Sequence, residues 1–550
     1  MGKIISYGLT RGKVAKNILL VLVLFTLILT IVPQNALAEE NKQVNASEIL
    51  DKIEKGELVA EENCTVIGDL DLSKINLSLI KVDGEELREV NNPISIKNSI
   101  IKGNVNFNDA YFSRAVNFDG TNLTGGADFE QSVFSSSANF ENAKFSFDAN
   151  FKYATFNSFT YFNGVNFTDK ANFYYATFNR SSYFNKAHFN DEAQFDNAKF
   201  YNEVEFNNVF FRSVADFRRS EFYDKLQFNN ATFNEDAQFD KAKFNDKVEF
   251  KDHTKFNETA SFRDATFTRL ADFEDAQFSK KADFTDTEFN EDAKFKKATF
   301  NGDASFMDVF FKKVDFGFAR FIKIANFNHT EFNDEANFQN AFFNDTAYFI
   351  LVRFKDRAYF TGASFNDTVD FSDADIFLTM KINWSQLEGK LVYDGYYYQT
   401  LIRNFETLGQ SEDANAAYYK YHVERGERIS TKSTRGLIRK IVDIFLYISC
   451  GYGVKPRRPL ILAGIIIGSF AAFYLKIEDP KNQESKGIWK RFWGFVFLSV
   501  SIFTTLGKWN KWKPAKTHET KFRIGVIIEA LLGWIIMTLF VISLTMTWIR

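Results

Sequence analysis

From Phe107 to Phe371 the chain repeats one phrase, small-x-Phe, at alternating steps of five and six residues, so that two phrases make an eleven-residue period. Of the 49 register positions in this stretch, 48 are Phe and one is Leu123; the chain holds 66 Phe in all. Register slips by one residue between Phe250 and Phe262 and is restored between Phe306 and Phe316. A long period that survives an insertion and is then corrected is the mark of stacked structural units. Two residues before nearly every Phe stands Ala, Val, Thr or Ser, as in Ala193-Gln194-Phe195, with Leu226 the largest exception. In extended backbone residues i and i+2 share a side, so the small residue and the Phe face inward and the polar residue between them faces out. Strands of about three residues cannot bury a face alone, but stacked coils bury a continuous Phe core.

Phrases such as Ala231-Thr232-Phe233 and Ala293-Lys294-Phe295 resemble the pentapeptide-repeat family. The resemblance implies a mainly β fold, a right-handed, four-sided β-solenoid built from A-x-[LF]-x-x units. Here the sixth residue at every second corner lengthens a coil from 20 to 22 residues. About 12 coils are then expected between residues 105 and 392, a rod of roughly 58 Å at ~4.8 Å per strand. The resemblance speaks for a fold and says little of function.

The net charge of −3 hides an asymmetry: residues 432–550 carry 19 Lys and Arg against 6 Asp and Glu, and the rest of the chain carries 48 against 64. An acidic part followed by a basic, apolar tail suggests a membrane segment flanked by cations. Cys64 and Cys450 offer neither a disulfide framework nor metal-ligand spacing. No nucleotide-binding glycine pattern, nucleophile elbow or metal-spaced His/Cys set is present and the five histidines are scattered, so no enzyme, cofactor or metal is expected. Lysines mixed among the acidic groups of the repeats (Asp191, Glu192 and Glu203 among them) read as a soluble face; with the export signal described next, they weigh against a DNA-mimicking role and a nucleic-acid partner.

Residues 1–38 have the layout of a secretory signal: Lys3, Arg11, Lys13 and Lys16, an apolar run from Ile18 to Val32, and Ala36-Leu37-Ala38. An uncleaved signal anchor is the alternative; in both cases the repeats are expected outside the cytoplasm, at the cell membrane. Residues 39–104 read as the leading cap and first irregular coils, with Ser47 as N-cap of a helix carrying Ile49, Leu50 and Ile53. Residues 393–435 read as a helical spacer, Gln399–Leu408 and Ser411–Glu427 being two helices broken at Gly409. In 436–550, the run to Cys450 reads as an interfacial helix, 459–475 and 524–548 as membrane spans, and 489–503 as a shorter apolar helix between them.

Two spans around a short helix that runs from Phe503 into Thr504-Thr505-Leu506-Gly507 resemble the two-helix pore domain of potassium channels. That family's pore helix leads into T-x-G-[YF]-G, whose carbonyls replace an ion's water shell. The resemblance implies a homotetramer in the lipid bilayer passing an inorganic cation. Lys508 and Trp509 stand where the family has an aromatic residue and a second glycine; the charge opposes cations and Trp resists the backbone that Gly adopts. Glu529, an acid inside an apolar helix, is expected to offset Lys508 or a nearby lysine or to pack on the pore-helix end, and Gly533 marks a place for a bend. Two functions follow: a channel-like protein carrying an exported solenoid, and a surface structural or adhesive protein that uses these helices only as an anchor.

Overall fold

A computed structural model describes residues 42–478, 487–505 and 516–549. Two compact units divide the chain between Gln227 and Phe228.

In the first unit, three-residue phrases become two-residue ladders. Each coil takes 22 residues and four strands, as in Asn166–Phe167, Ala171–Asn172, Thr177–Phe178 and Ser182–Tyr183, before His188–Phe189 pairs in parallel with Asn166–Phe167. The face containing Asn166–Phe167 holds eight strands in this unit, from Lys42–Asn45 to Phe210–Phe211. Inside, rings 22 residues apart stack: Phe129 on Phe151 at 4.8 Å and 1°, Phe151 on Phe173 at 4.9 Å and 2°. Between columns they meet edge to face, as Phe162 and Phe173 do at 5.5 Å and 87°. Such pairs add about 0.5–1.5 kcal/mol each beyond burial. Buried hydroxyls at the small position remain satisfied across coils: Ser132 donates to the Phe107 carbonyl at 2.6 Å and Ser220 to that of Phe195 at 2.7 Å.

The two step lengths build two kinds of corner. After Phe195 the five-residue step turns through Asp196 and Asn197, closed by the Ala198 N–H on the Phe195 carbonyl at 2.9 Å, with Asn197 at φ 59°. A left-handed third residue is what a type II turn requires. The same conformation recurs every eleven residues, at Asn142, Tyr153, Gly164, Tyr175 and Lys186 among others. The polar residue before the Phe often locks this corner, as when Asn172 Oδ1 accepts from the Tyr174 N–H at 3.0 Å. The six-residue steps of this unit carry no left-handed residue and spread the turn over one more bond.

The open start of this unit is covered by α1 (Ala46–Glu54), which buries Ala46, Ile49, Leu50 and Ile53. Its N-cap is Asn45, extended at φ −75°, ψ 138°, and Ser47 lies inside the helix. The expectation for Ser47 fails because Lys42–Asn45 is a strand paired with Cys64–Ile67, and the chain leaves extended geometry only after Asn45. Buried Glu61 is held by Lys42 at 2.6 Å and Lys52 at 2.8 Å.

The second unit continues the same architecture, with seven strands on the corresponding face from Thr232–Phe233 to Ser364–Phe365. Its two register irregularities are absorbed at corners. The inserted residue makes Asp252 and His253 consecutively left-handed, φ 56° and 67°. The deletion shortens a corner so that Phe310–Asp315 runs as one strand against Glu288–Lys294, with a bulge between Phe289 and Asp292.

The far end is closed by helices: α2 (Trp384–Leu387), α3 (Gly395–Thr407) and α4 (Ser411–Glu427). Tyr397 of α3 stacks on Phe371 at 4.9 Å, extending the ring column by one. Asn404 accepts from the Met380 N–H and donates to the Met380 carbonyl, both at 2.8 Å, occupying backbone groups that another coil would take. The helices expected to be a spacer therefore cap the solenoid. Beyond them come α5 (Thr434–Cys450), α6 (Arg457–Lys476), α7 (Ile488–Thr505) and α8 (Glu519–Ile549).

Candidate functional site

Helices α6 and α8 are long and apolar enough to cross a membrane. They run antiparallel. Near the end of α6, Phe473 crowds Gly525, and Tyr474 meets Phe522 edge-on at 5.4 Å. At the other end Met546 touches Gly453, just before α6, so closely that a Cβ there would lie 2.7 Å from its sulfur.

The third helix, α7, starts where α6 ends, and Arg491 grips Glu478 at 2.6 Å. It runs between α6 and α8 until the Phe503 backbone meets Gly533, where a Cβ would fall 2.3 Å from the Phe503 carbonyl oxygen. Gly533 lies 14 residues into α8, about 21 Å along it at 1.5 Å per residue. Met546 lies 13 residues further, about 20 Å beyond. Helix α7 thus ends opposite the middle of α8, while its own start and that of α8 share the end marked by Glu478 and Tyr474. The helix α8 is continuous through Gly533, whose missing side chain serves a close crossing of helices.

Glu529 is fully buried at this three-helix contact. Tyr474 of α6 donates to its Oε2 at 2.7 Å, and the Ser499 hydroxyl of α7 donates to its Oε1. Ser499 also lies 3.1 Å from the Ile467 carbonyl. Among the described residues no lysine or arginine pairs with Glu529; neutral hydroxyls take both oxygens. Nothing in the sequence singles out Tyr474 and Ser499, since α6 also holds Ser469 and α7 also holds Ser501, Thr504 and Thr505. Thr504 is exposed on the last turn of α7, donating to the Val500 carbonyl at 2.7 Å, and Thr505 ends the helix. Leu506, Gly507, Lys508 and Trp509 lie outside the described residues. Among the described residues no group of three His, Cys, Asp or Glu side chains converges to hold a metal.

Comparison with known proteins bears on the repeats. Residues 118–320 and 327–375, matched in overlapping segments, fit the family described as pentapeptide repeats (9 copies). The solenoid is built of pentapeptide repeats. No curated protein and no solved structure matches the chain.

The outer faces of the pentapeptide-repeat coils carry ladders of like side chains. In the first unit Tyr161 stacks on Tyr183 at 5.5 Å and Tyr201 on Tyr223 at 4.6 Å. The Tyr223 hydroxyl, bonded to Glu221 at 2.5 Å and partly desolvated, is pushed up to about 12. In the second unit Glu249 lies almost buried between Lys247 at 2.5 Å and Lys251 at 3.0 Å. Burial raises its carboxyl, but hydrogen bonds and charge from the two lysines outweigh it and bring the group down to about 2.

Proposed function

We propose that this protein is a membrane protein in which an exported pentapeptide-repeat solenoid is carried on a potassium-channel-like pore module made of α6, α7 and α8, assembling as a homotetramer, with a filter altered at Lys508 and Trp509. The observation that carries this reading is the seat of Phe503 on Gly533. It ends α7 opposite the middle of α8, while α7 and α8 start at the same end. A helix that enters between two spans and stops near mid-depth has the layout of a pore helix, whose following residues would form the filter from Thr504 to Trp509. Buried Glu529 ties the three helices together at that depth. With the repeats exported, α7 enters from the cytoplasmic side, the reverse of the orientation usual among potassium channels, because the cap and α5 lie at the other end of α6.

The test is ion flux and single-channel recording on the full-length protein in liposomes, with Lys508→Tyr/Trp509→Gly alongside. Current from the native protein, or from the double variant alone, supports the pore architecture. Silence in both leaves an anchor for a surface rod. Orientation is read separately by an impermeant thiol reagent on cells expressing Leu351→Cys: the native cysteines, Cys64 and Cys450, are both buried, whereas position 351 is 47% exposed. Labelling in intact cells is expected; labelling only after lysis would overturn the export.

A further inference from the structure

Between α4, α5 and the last turns of α8 lies a cleft of about 840 Å³, within the size range of small-molecule sites. Its walls differ in character. Arg425 on α4, Arg428 just after it and Arg439 on the first half of α5 belong to one wall. There Gly426 packs so closely on Asp443 that a Cβ would lie 2.3 Å from its carboxylate. Leu539, Ile542 and Met546 of α8 line the other, beside Gly453. Three guanidinium groups thus face one carboxylate in the lining, and Asp443 is itself engaged by the Tyr452 hydroxyl at 3.1 Å.

The arginines differ in how far the fold already uses them. Arg428 lies over the Tyr393 ring at 3.9 Å and 3.5 Å from Glu424. Arg425 lies over Tyr421 at 5.6 Å, and among the described residues Arg439 belongs to no ion pair. Two guanidinium forks are therefore left without a carboxylate, on one wall of a cleft whose other wall belongs to a candidate membrane span. Helix α5, which forms one side, also exposes Leu437, Ile441, Ile444, Phe445 and Ile448, an apolar face suited to the surface of a bilayer.

We infer that the cleft holds an anionic phospholipid, its phosphate on Arg425 and Arg439 and its acyl chains along Leu539, Ile542 and Met546. Guanidinium forks match phosphate oxygens in a bidentate manner, and a basic wall beside an apolar one suits a molecule that carries both a phosphate and acyl chains. This assignment rests on α8 being a membrane span and is independent of conduction.

The experiment measures lipid retained by the full-length protein after detergent washing, by native mass spectrometry, from equal mixtures of dioleoylphosphatidylglycerol and dioleoylphosphatidylcholine. Preferential retention of the anionic lipid is expected. Arg425→Gln/Arg439→Gln should lower that retention about tenfold, the loss of one to two charge-assisted contacts, leaving the melting temperature and phosphatidylcholine retention unchanged. Ile542→Trp, which narrows the cleft from its apolar wall and spares the arginines, should lower phosphatidylglycerol retention too. Equal retention of both lipids, undiminished phosphatidylglycerol in the arginine variant, or its displacement by millimolar inorganic phosphate would each overturn the assignment, the last by making this a site for a free anion. Failure of the protein to enter membranes would sink the membrane reading itself.

Discussion

Replacing Glu529 by Gln tests what the buried carboxyl does. In the structure Tyr474 donates to one oxygen and Ser499 to the other, with the Ile467 carbonyl 3.1 Å from the Ser499 hydroxyl. A Gln side chain has the same shape. Its carbonyl oxygen can accept from Tyr474, while its amide donates to Ser499 Oγ, which then donates to Ile467. Every polar group keeps a partner, and the exchange of a carboxylate for an amide also removes a cost of burial. The expected change is within about 1 kcal/mol. Glu529→Ala differs: it orphans the Tyr474 hydroxyl, worth about 1–3 kcal/mol, and empties space among three helices, for a total of about 2–4 kcal/mol. Six of the seven tryptophans lie from Trp489 onward, so tryptophan fluorescence during detergent denaturation reports on this module. Wild type and Glu529→Gln should unfold together and Glu529→Ala clearly earlier. Collapse of Glu529→Gln to the level of the alanine variant would refute the hydroxyl account. It would show that the negative charge is needed, as pairing with Lys508 would require.

Two further outcomes follow from the solenoid. The Glu249 carboxyl is held at about 2, below its ordinary 4.5, so its contribution of up to about 2–3 kcal/mol is present above pH 4.5 and is lost as pH falls from there toward 2; amide protection around residues 228–272, taken relative to the intrinsic exchange rate at each pH, should fall over that window, and a Glu249→Gln variant with the same pH profile would count against it. Leu351 sits at φ 57° with 47% of its surface exposed, a conformation that costs a branched side chain about 1–2 kcal/mol; Leu351→Asn should raise the melting temperature of the repeats, and a lowered one would mean that the leucine side chain outweighs the backbone strain.

The solenoid was legible because its core residues are also its period. A ring at every five or six residues, with a small residue two before it, leaves the backbone one way to bury both, and the structure places the register Phe residues inside. The corners were less legible. Five-residue steps force one residue into the left-handed region, yet Arg219, Lys241, Phe318 and Leu351 occupy it as well as Asn and Gly. Coil closure imposes the conformation, and no composition announces it. Asn45 as the helix cap was hidden for a related reason, since the strand before it decides where the helix begins.

The C-terminal helices divide in the same way. Their existence and approximate bounds follow from hydropathy, a local property summed over some twenty residues. Which polar atoms meet does not. Glu529 drew notice as an acid in an apolar helix, but Tyr474 and Ser499 lie 55 and 30 residues away in sequence and only the packing of three helices selects them over the nearby lysines. Asn404 reads as an ordinary helix residue until the chain folds back onto the strand edge at Met380. By itself, the sequence determined the repeat, the ring columns and the long apolar helices, because each is set by periodicity or composition along the chain. Only tertiary structure decided the left-handed corners, the closing cap, the partners of Glu529 and the cleft of arginines, because those depend on which distant segments are brought within a few ångströms.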